Sequence, residues 1–69
     1  MHIRAIVGLN VLRIRRERQL SQEELSLRAK VTRAYLSGIE AGTRNPTVDM
    51  LARLGDALGV SVEELVKSS

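Results

Sequence analysis

Apolar residues in this chain recur at every third and fourth position and almost nowhere alternate. That period belongs to helices that bury one face. Ile3–Arg18 reads as the first helix. At about 100° per residue, Val7, Val11 and Ile14 share a face with the stem of Arg18, and Ile3 lies at its edge. Leu9 and Leu12 point to the opposite side, and Ala5 joins them in an apolar strip. The strip is either surface scatter or a protein contact. Gln19–Leu20 ends the helix.

Polar punctuation then divides the rest. Ser21 is an N-cap type, and Glu24 three residues on completes a capping box. The second helix runs from there to about Ala29, with Leu25 and Ala29 on one face. Lys30–Val31 is a short connection, and Thr32 caps a third helix that carries Leu36 and Ile39 inward. Gly42 signals a helix end, and Pro46 fixes a bend. Thr47 caps a fourth helix, with Val48, Leu51, Leu54 and Leu58 at helical spacing. Gly55 inside it costs about 1 kcal/mol relative to Ala, which points to close helix packing. Gly59 ends it. Ser61 caps a fifth helix, Glu64 again completes a capping box, and Val62, Leu65 and Val66 face the core. The tail Lys67–Ser69 is expected to fray. The expected fold is all-α, a five-helix bundle in one domain over residues 1–69.

Size changes the picture in one respect. A chain of 69 residues buries only about 60% of its unfolded surface and is marginally stable. There is no cysteine, so neither a disulfide nor a thiolate metal site assists. Dimerisation could. With Tyr35 the sole aromatic, the core must be aliphatic. Residues 1–16 are acid-free and amphipathic, like a transit peptide, but the same stripe is needed to bury the later helices. Ala5–Leu12 is too short to span a membrane, and no repeat or linker is evident.

Charge is unevenly placed. Residues 1–20 carry five arginines against Glu17, a net +4, whereas residues 47–69 carry a net −2. A basic front and an acidic rear suit a polyanion on one side, although a solvated surface would also accommodate them. Catalysis finds no support. There is one terminal histidine, His2, no Gly-rich phosphate loop and no nucleophile–base pair. No metal site, cofactor or small-molecule ligand is implied.

The pairing of two short helices over about 21–41 is the informative feature. Helices this short cannot stand alone. With Leu36, Ile39 and Glu40 inward, the third helix presents Ala34, Ser37, Gly38 and Ala41 outward, all small. A smooth face allows close approach to a DNA groove, and Ala34 could touch a thymine methyl. Arg33, in the first turn, is the best candidate base reader, bidentate to guanine; the alternative is a phosphate contact. Ser37 is adaptable. Tyr35 on the flank is either a contact or a packing residue. Shape and deformability should therefore contribute much of the specificity. Gln22 begins the second helix, where backbone N–H groups favour a phosphate.

Three segments together resemble the Cro/repressor-type (XRE-like) helix-turn-helix family: R-x-E-R-x-L-S-Q-E-E-L over Arg15–Leu25, T-R-A-Y-L-S-G-I-E-A-G-T-R-N-P-T over Thr32–Thr47, and L-G-V-S-V-E-E-L over Leu58–Leu65. The middle segment is similar to the controller proteins of restriction–modification systems. The resemblance implies a lambda-repressor-like domain whose third helix, Thr32–Ala41, enters the major groove, commonly as a dimer on a two-fold operator. It carries phosphate contact onto Gln22 and onto the loop with Arg44 and Asn45, assisted by Thr43; the bland alternative for Thr43–Asn45 is an ordinary turn. It also pairs Arg15 with Glu40. Lys30 departs from the pattern, which usually has a small residue there. A positive φ would strain it, and it becomes a candidate phosphate contact at the groove edge.

The expected function is sequence-specific binding of double-stranded DNA by a homodimeric, cytoplasmic, bacterial-type transcriptional regulator. The rival reading is an antitoxin-like or adaptor module whose main partner is another protein. A steep loss of duplex affinity with salt separates the two.

Overall fold

A computed structural model describes residues 2–68. It contains α1 (Ile3–Glu17), α2 (Gln22–Ala29), α3 (Arg33–Glu40), α4 (Val48–Leu58) and α5 (Val62–Val66), with no strand among the described residues. Helix α1 packs against α3 and α5, α2 against α3 and α4, and α4 against α5. Between them lies an aliphatic core that includes Val7, Val11, Leu25, Leu36, Ile39, Leu54 and Leu65, all essentially inaccessible. Burying one such side chain stabilises the fold by about 1.5–3 kcal/mol. That is how helices of five to fifteen residues persist.

Three of the four helix connections are one repeated joint. A left-handed residue, an apolar residue and a hydroxyl residue follow one another as Gln19–Leu20–Ser21, Lys30–Val31–Thr32 and Gly59–Val60–Ser61. The apolar member closes the preceding helix through a backbone bond five residues back. Leu20 N–H donates to Arg15 C=O at 3.0 Å, Val31 to Ser26 at 3.0 Å and Val60 to Gly55 at 2.9 Å. This is a Schellman closure. The same apolar residue also precedes the next N-cap. There it and the residue five positions on belong to one cluster: Leu20 and Leu25, Val31 and Leu36, Val60 and Leu65. That is the hydrophobic staple arrangement. Each hydroxyl then caps its helix, Ser21 from Glu24 N–H, Thr32 from Tyr35 N–H and Ser61 from Glu64 N–H. In α2 the box is reciprocal, because Ser21 N–H donates to Glu24 Oε1 at 2.8 Å. In α5 only the hydroxyl half is made.

Several expectations need correction. Helix α1 ends at Glu17, and Arg18 is its C-cap. The Arg18 side chain is 45% exposed, not buried along the core stripe. Its Nε donates to Leu58 C=O at 3.1 Å, so its charge stands at the C-terminal end of α4. Val48 is 78% exposed, because it lies about 85° around the helix from the centre of the Leu51–Leu54–Leu58 stripe at 100° per residue. Gly55 is required by the joint after α4 and not by helix packing. A Cβ there would stand 2.7 Å from Val60 O. The expected strip on α1 is broken: Leu9 is exposed, but Ala5 and Leu12 are half-buried, with Gly42 close over Ala5. Lys67 and Ser68 lie beyond α5, and Ser69 lies outside the described residues.

Two α1 residues hold the bundle in ways the periodicity does not announce. Gly8 is buried, and a Cβ on it would meet Ile39 O at 2.4 Å. Helix α1 therefore touches the backbone of α3 directly. Asn10 is buried, and its Nδ2 donates to Leu65 O and Lys67 O, each at 2.9 Å. The amide thus satisfies carbonyls at the C-terminus of α5, which has no helical partner for them.

Candidate nucleic-acid interface

Helix α3 owes its position to its inner face. Leu36 and Ile39 are buried, and Glu40 at its last turn is held by Arg15. Arg15 Nε donates to Glu40 Oε2 at 2.7 Å and Nη2 to Oε1 at 3.0 Å. The third guanidinium nitrogen, Nη1, donates to Leu20 O at 2.9 Å. The carboxylate holds Arg15 above the ordinary arginine range, mainly through these hydrogen bonds. The fork geometry is the strong form of ion pair.

The outer face carries the small residues. Ala34, Ser37 and Ala41 are exposed. Gly38 is not open as its size suggests: a Cβ there would stand 2.6 Å from Arg44 Cγ. The missing side chain admits the stem of Arg44, whose guanidinium reaches back over the Tyr35 ring, 5.6 Å from its centroid. That is cation–π distance. Tyr35 is half-buried and also packs against the core, so the structure gives it a packing role. Arg44 is thereby brought alongside α3 instead of standing free in the loop.

Thr43 closes α3. Its N–H and Oγ1 both donate to Gly38 O, at 3.0 and 3.2 Å. The hydroxyl of Thr32 accepts from Tyr35 N–H at 3.0 Å. Asn45 is exposed in the loop that follows. Lys30 has φ 59° and ψ 45°, so the positive φ is real, and Gln19 shares it with φ 57°. Lys30 borders a shallow hollow with Arg28, Arg53 and Asp56, apart from the Arg33 and Arg44 groups.

Arg33 and Gln22 lie together. Arg33 Nε donates to Gln22 Oε1 at 3.4 Å, and Gln22 Nε2 donates to Glu40 Oε1 at 3.1 Å. The side chain of Gln22 is thus engaged within the protein, although it begins α2, where an anion would be favoured. Sequence reasoning missed this bridge and the seat for Arg44. The first needs α2 and α3 in register. The second had only the signal of a glycine inside a short helix. Among the described residues, no helix is long and apolar enough to cross a membrane.

Comparison with known proteins agrees with this geometry. A family profile described as helix-turn-helix matches residues 11–65. The chain is 52% identical over 66 residues to the uncharacterised HTH-type transcriptional regulator y4dJ of Sinorhizobium fredii, covering 96% of this chain and 86% of that protein. Among solved structures it is similar to the restriction–modification controller protein C.AhdI of Aeromonas hydrophila, with a TM-score of 0.87, 31% identity and coverage of 90% and 94%. It is also similar to SinR, a master regulator of biofilm formation whose structure is in complex with DNA, with a TM-score of 0.85, 34% identity and coverage of 88% and 98%; a relative of that name is from Bacillus subtilis. Sequence, fold and relatives agree that the chain belongs to the helix-turn-helix family of DNA-binding transcriptional regulators.

Proposed function

We propose that the chain regulates transcription by laying α3 in the major groove of operator DNA, as a homodimer on a two-fold site. The observation that carries this reading is the outer face of α3. Ala34, Ser37 and Ala41 leave it smooth, and Arg33 and Arg44 flank it with charge. A helix of eight residues reaches only a few base pairs. Two copies about 34 Å apart read a full operator. Arg33 reads a guanine edge, and Ala34 and Ser37 contact bases. Arg44, Asn45, Thr43 and Lys30 take phosphates, with Thr32 at the start of the helix and Gly38 letting Arg44 lie close. Such a regulator works in the cytoplasm. The dimer seam falls either on α5 or on the Leu9–Leu12 side of α1, and Leu9→Asp with Leu12→Asp in sedimentation separates them.

Selection from a random duplex pool tests the reading. The expected result is a two-fold consensus with half-sites one helical turn apart, bound with a steep salt dependence. Shallow salt dependence with no consensus would overturn it.

A further inference from the structure

We infer that Arg4, in the first turn of α1, holds a DNA backbone phosphate beside the loop that follows α3. The inference rests on the reading of Thr43–Asn45 as a phosphate-binding loop. It adds a residue that lies ahead of the stretch 11–65 matched by the helix-turn-helix profile. Two α1 residues mark the side of that helix that meets α3. Gly8 lies against Ile39 O and Glu40 O, and Arg15 grips Glu40. At 100° per residue, Arg4 stands within about 40° of both. Toward its start, α1 runs past the end of α3. Gly8 meets residues 39 and 40, whereas a Cβ on Gly42 would stand 3.4 Å from Ala5 Cα and 3.9 Å from Ala5 N. The chain leaving α3 therefore crosses the Arg4–Ala5 peptide, with Thr43, Arg44 and Asn45 next in sequence and all exposed.

Among the described residues nothing answers the Arg4 charge. The side chain is half-buried. The carboxylates that form ion pairs, Glu17, Glu40 and Asp49, are held by Arg13 and Arg18, by Arg15 and by Arg53. The carbonyls at the end of α3 do not need it either. Those of Ser37, Gly38 and Ile39 accept from the N–H groups of Ala41, Thr43 and Gly42, at 3.0, 3.0 and 3.1 Å. Its own helix disfavours it, because a cation in the first turn opposes the helix dipole, and that turn holds no acidic side chain. A guanidinium so placed gains most from an anion supplied from outside. The anion that the loop would bring to this spot is a phosphate, onto which arginine forks.

The test is the salt dependence of duplex binding by the full chain, with a melting curve for each variant. Arg4→Gln should lower the slope of log affinity against log salt by about 0.9. Its loss of affinity between about 50 and 200 mM salt should then be roughly 3.5-fold smaller than that of the unaltered chain. Preferred and random duplexes should respond alike, because a phosphate contact carries no sequence information. Arg4→Lys should keep the slope. Arg13→Gln is the control and should leave it unchanged, since Arg13 lies about 180° from Arg4 around the same helix. Duplexes with single phosphates replaced by neutral methylphosphonates give a second reading. One such position per half-site should weaken the unaltered chain and leave Arg4→Gln unaffected. An unchanged slope in Arg4→Gln, beside a lowered slope in Arg44→Ala, would overturn the inference and keep the loop. Unchanged slopes in both would overturn the reading of the loop and the inference with it. A slope lowered equally by Arg13→Gln would assign the effect to overall charge and overturn the contact. Arg4→Met, which keeps an unbranched stem and drops the charge, gives the same contrasts should Arg4→Gln fold poorly.

Discussion

Arg15 on α1 grips Glu40 at the end of α3 with two nearly parallel hydrogen bonds, at 2.7 and 3.0 Å. With both side chains mostly buried, removing one partner leaves an uncompensated charge. Glu40→Ala should cost roughly 3–5 kcal/mol, a large share of what a domain of this size possesses. Thermal melts followed by circular dichroism test it. An unchanged melting temperature would show that the pair contributes no net stability.

Arg33 and Arg44 should differ in kind. Arg33→Ala is expected to cost about 1–3 kcal/mol and to relax one base position per half-site. Arg44→Ala should weaken every sequence alike and flatten the salt slope. Binding titrations at several salt concentrations distinguish them. The reverse pattern would mean that the seat over Tyr35 makes Arg44 the reader.

Lys30→Gly separates strain from contact. A left-handed residue other than glycine costs roughly 1–2 kcal/mol, and the added freedom of glycine when unfolded offsets roughly 0.5–1 kcal/mol of that. The variant should be more stable, by up to about 1.5 kcal/mol, and melt higher. If Lys30 holds a phosphate, the same variant should also reduce the salt slope by about 0.9. A raised melting temperature with an unchanged slope would remove Lys30 from the DNA contacts.

Gly8→Ala adds one methyl group where α1 meets backbone. With Ile39 O at 2.4 Å and Glu40 O at 3.0 Å from the new Cβ, no side chain can move aside. Helix α3 must shift, at a cost of about 1–3 kcal/mol. Operator affinity measured below the melting transition should fall too, because the displaced helix is the one proposed to enter the groove. Retained affinity would show that α3 tolerates the displacement.

Glu24 links stability to acid. The backbone N–H of Ser21 donates to its carboxylate, and with the Ser21 side chain holds it below the usual glutamate range. A group depressed by folding adds stability that is present above its unfolded pKa and lost as pH falls through the folded value. Compared with Glu24→Gln, the protein should melt higher at neutral pH, and the difference should close in acid below that value. A gap that persists at the acid end would assign the effect to something other than this titration.

Helix starts were legible because their chemistry is local. Ser21, Thr32, Thr47 and Ser61 each cap within three residues. Leu36, Ile39 and Leu65 sit where a period of 3.6 puts them. Gln19 was read only as a helix end, since nothing local distinguishes a glutamine with positive φ from any other. Val48 shows the limit of spacing: a position at the stripe edge is decided by what it meets. The Gly8 contact, the two bonds of Asn10 and the bridge by Gln22 all join segments distant in sequence, and no window along the chain contains both ends. The exposed small face of α3 was readable, yet the Arg44 stem across Gly38 was not, because it depends on the path of a loop.

The repeated joints set where this regulator can change length. An inserted residue in Gln19–Ser21, Lys30–Thr32 or Gly59–Ser61 would separate one helix closure from the next cap. Each of those connections is therefore fixed in size. Only the stretch between Thr43, which closes α3, and Thr47, which caps α4, lies outside such a unit. Lineages that diverge in operator preference can lengthen or shorten the chain there, next to the proposed DNA face, while the frame that holds α3 stays as it is. Engineering of altered operator range has the same single window, and grafted loops belong between Arg44 and Pro46.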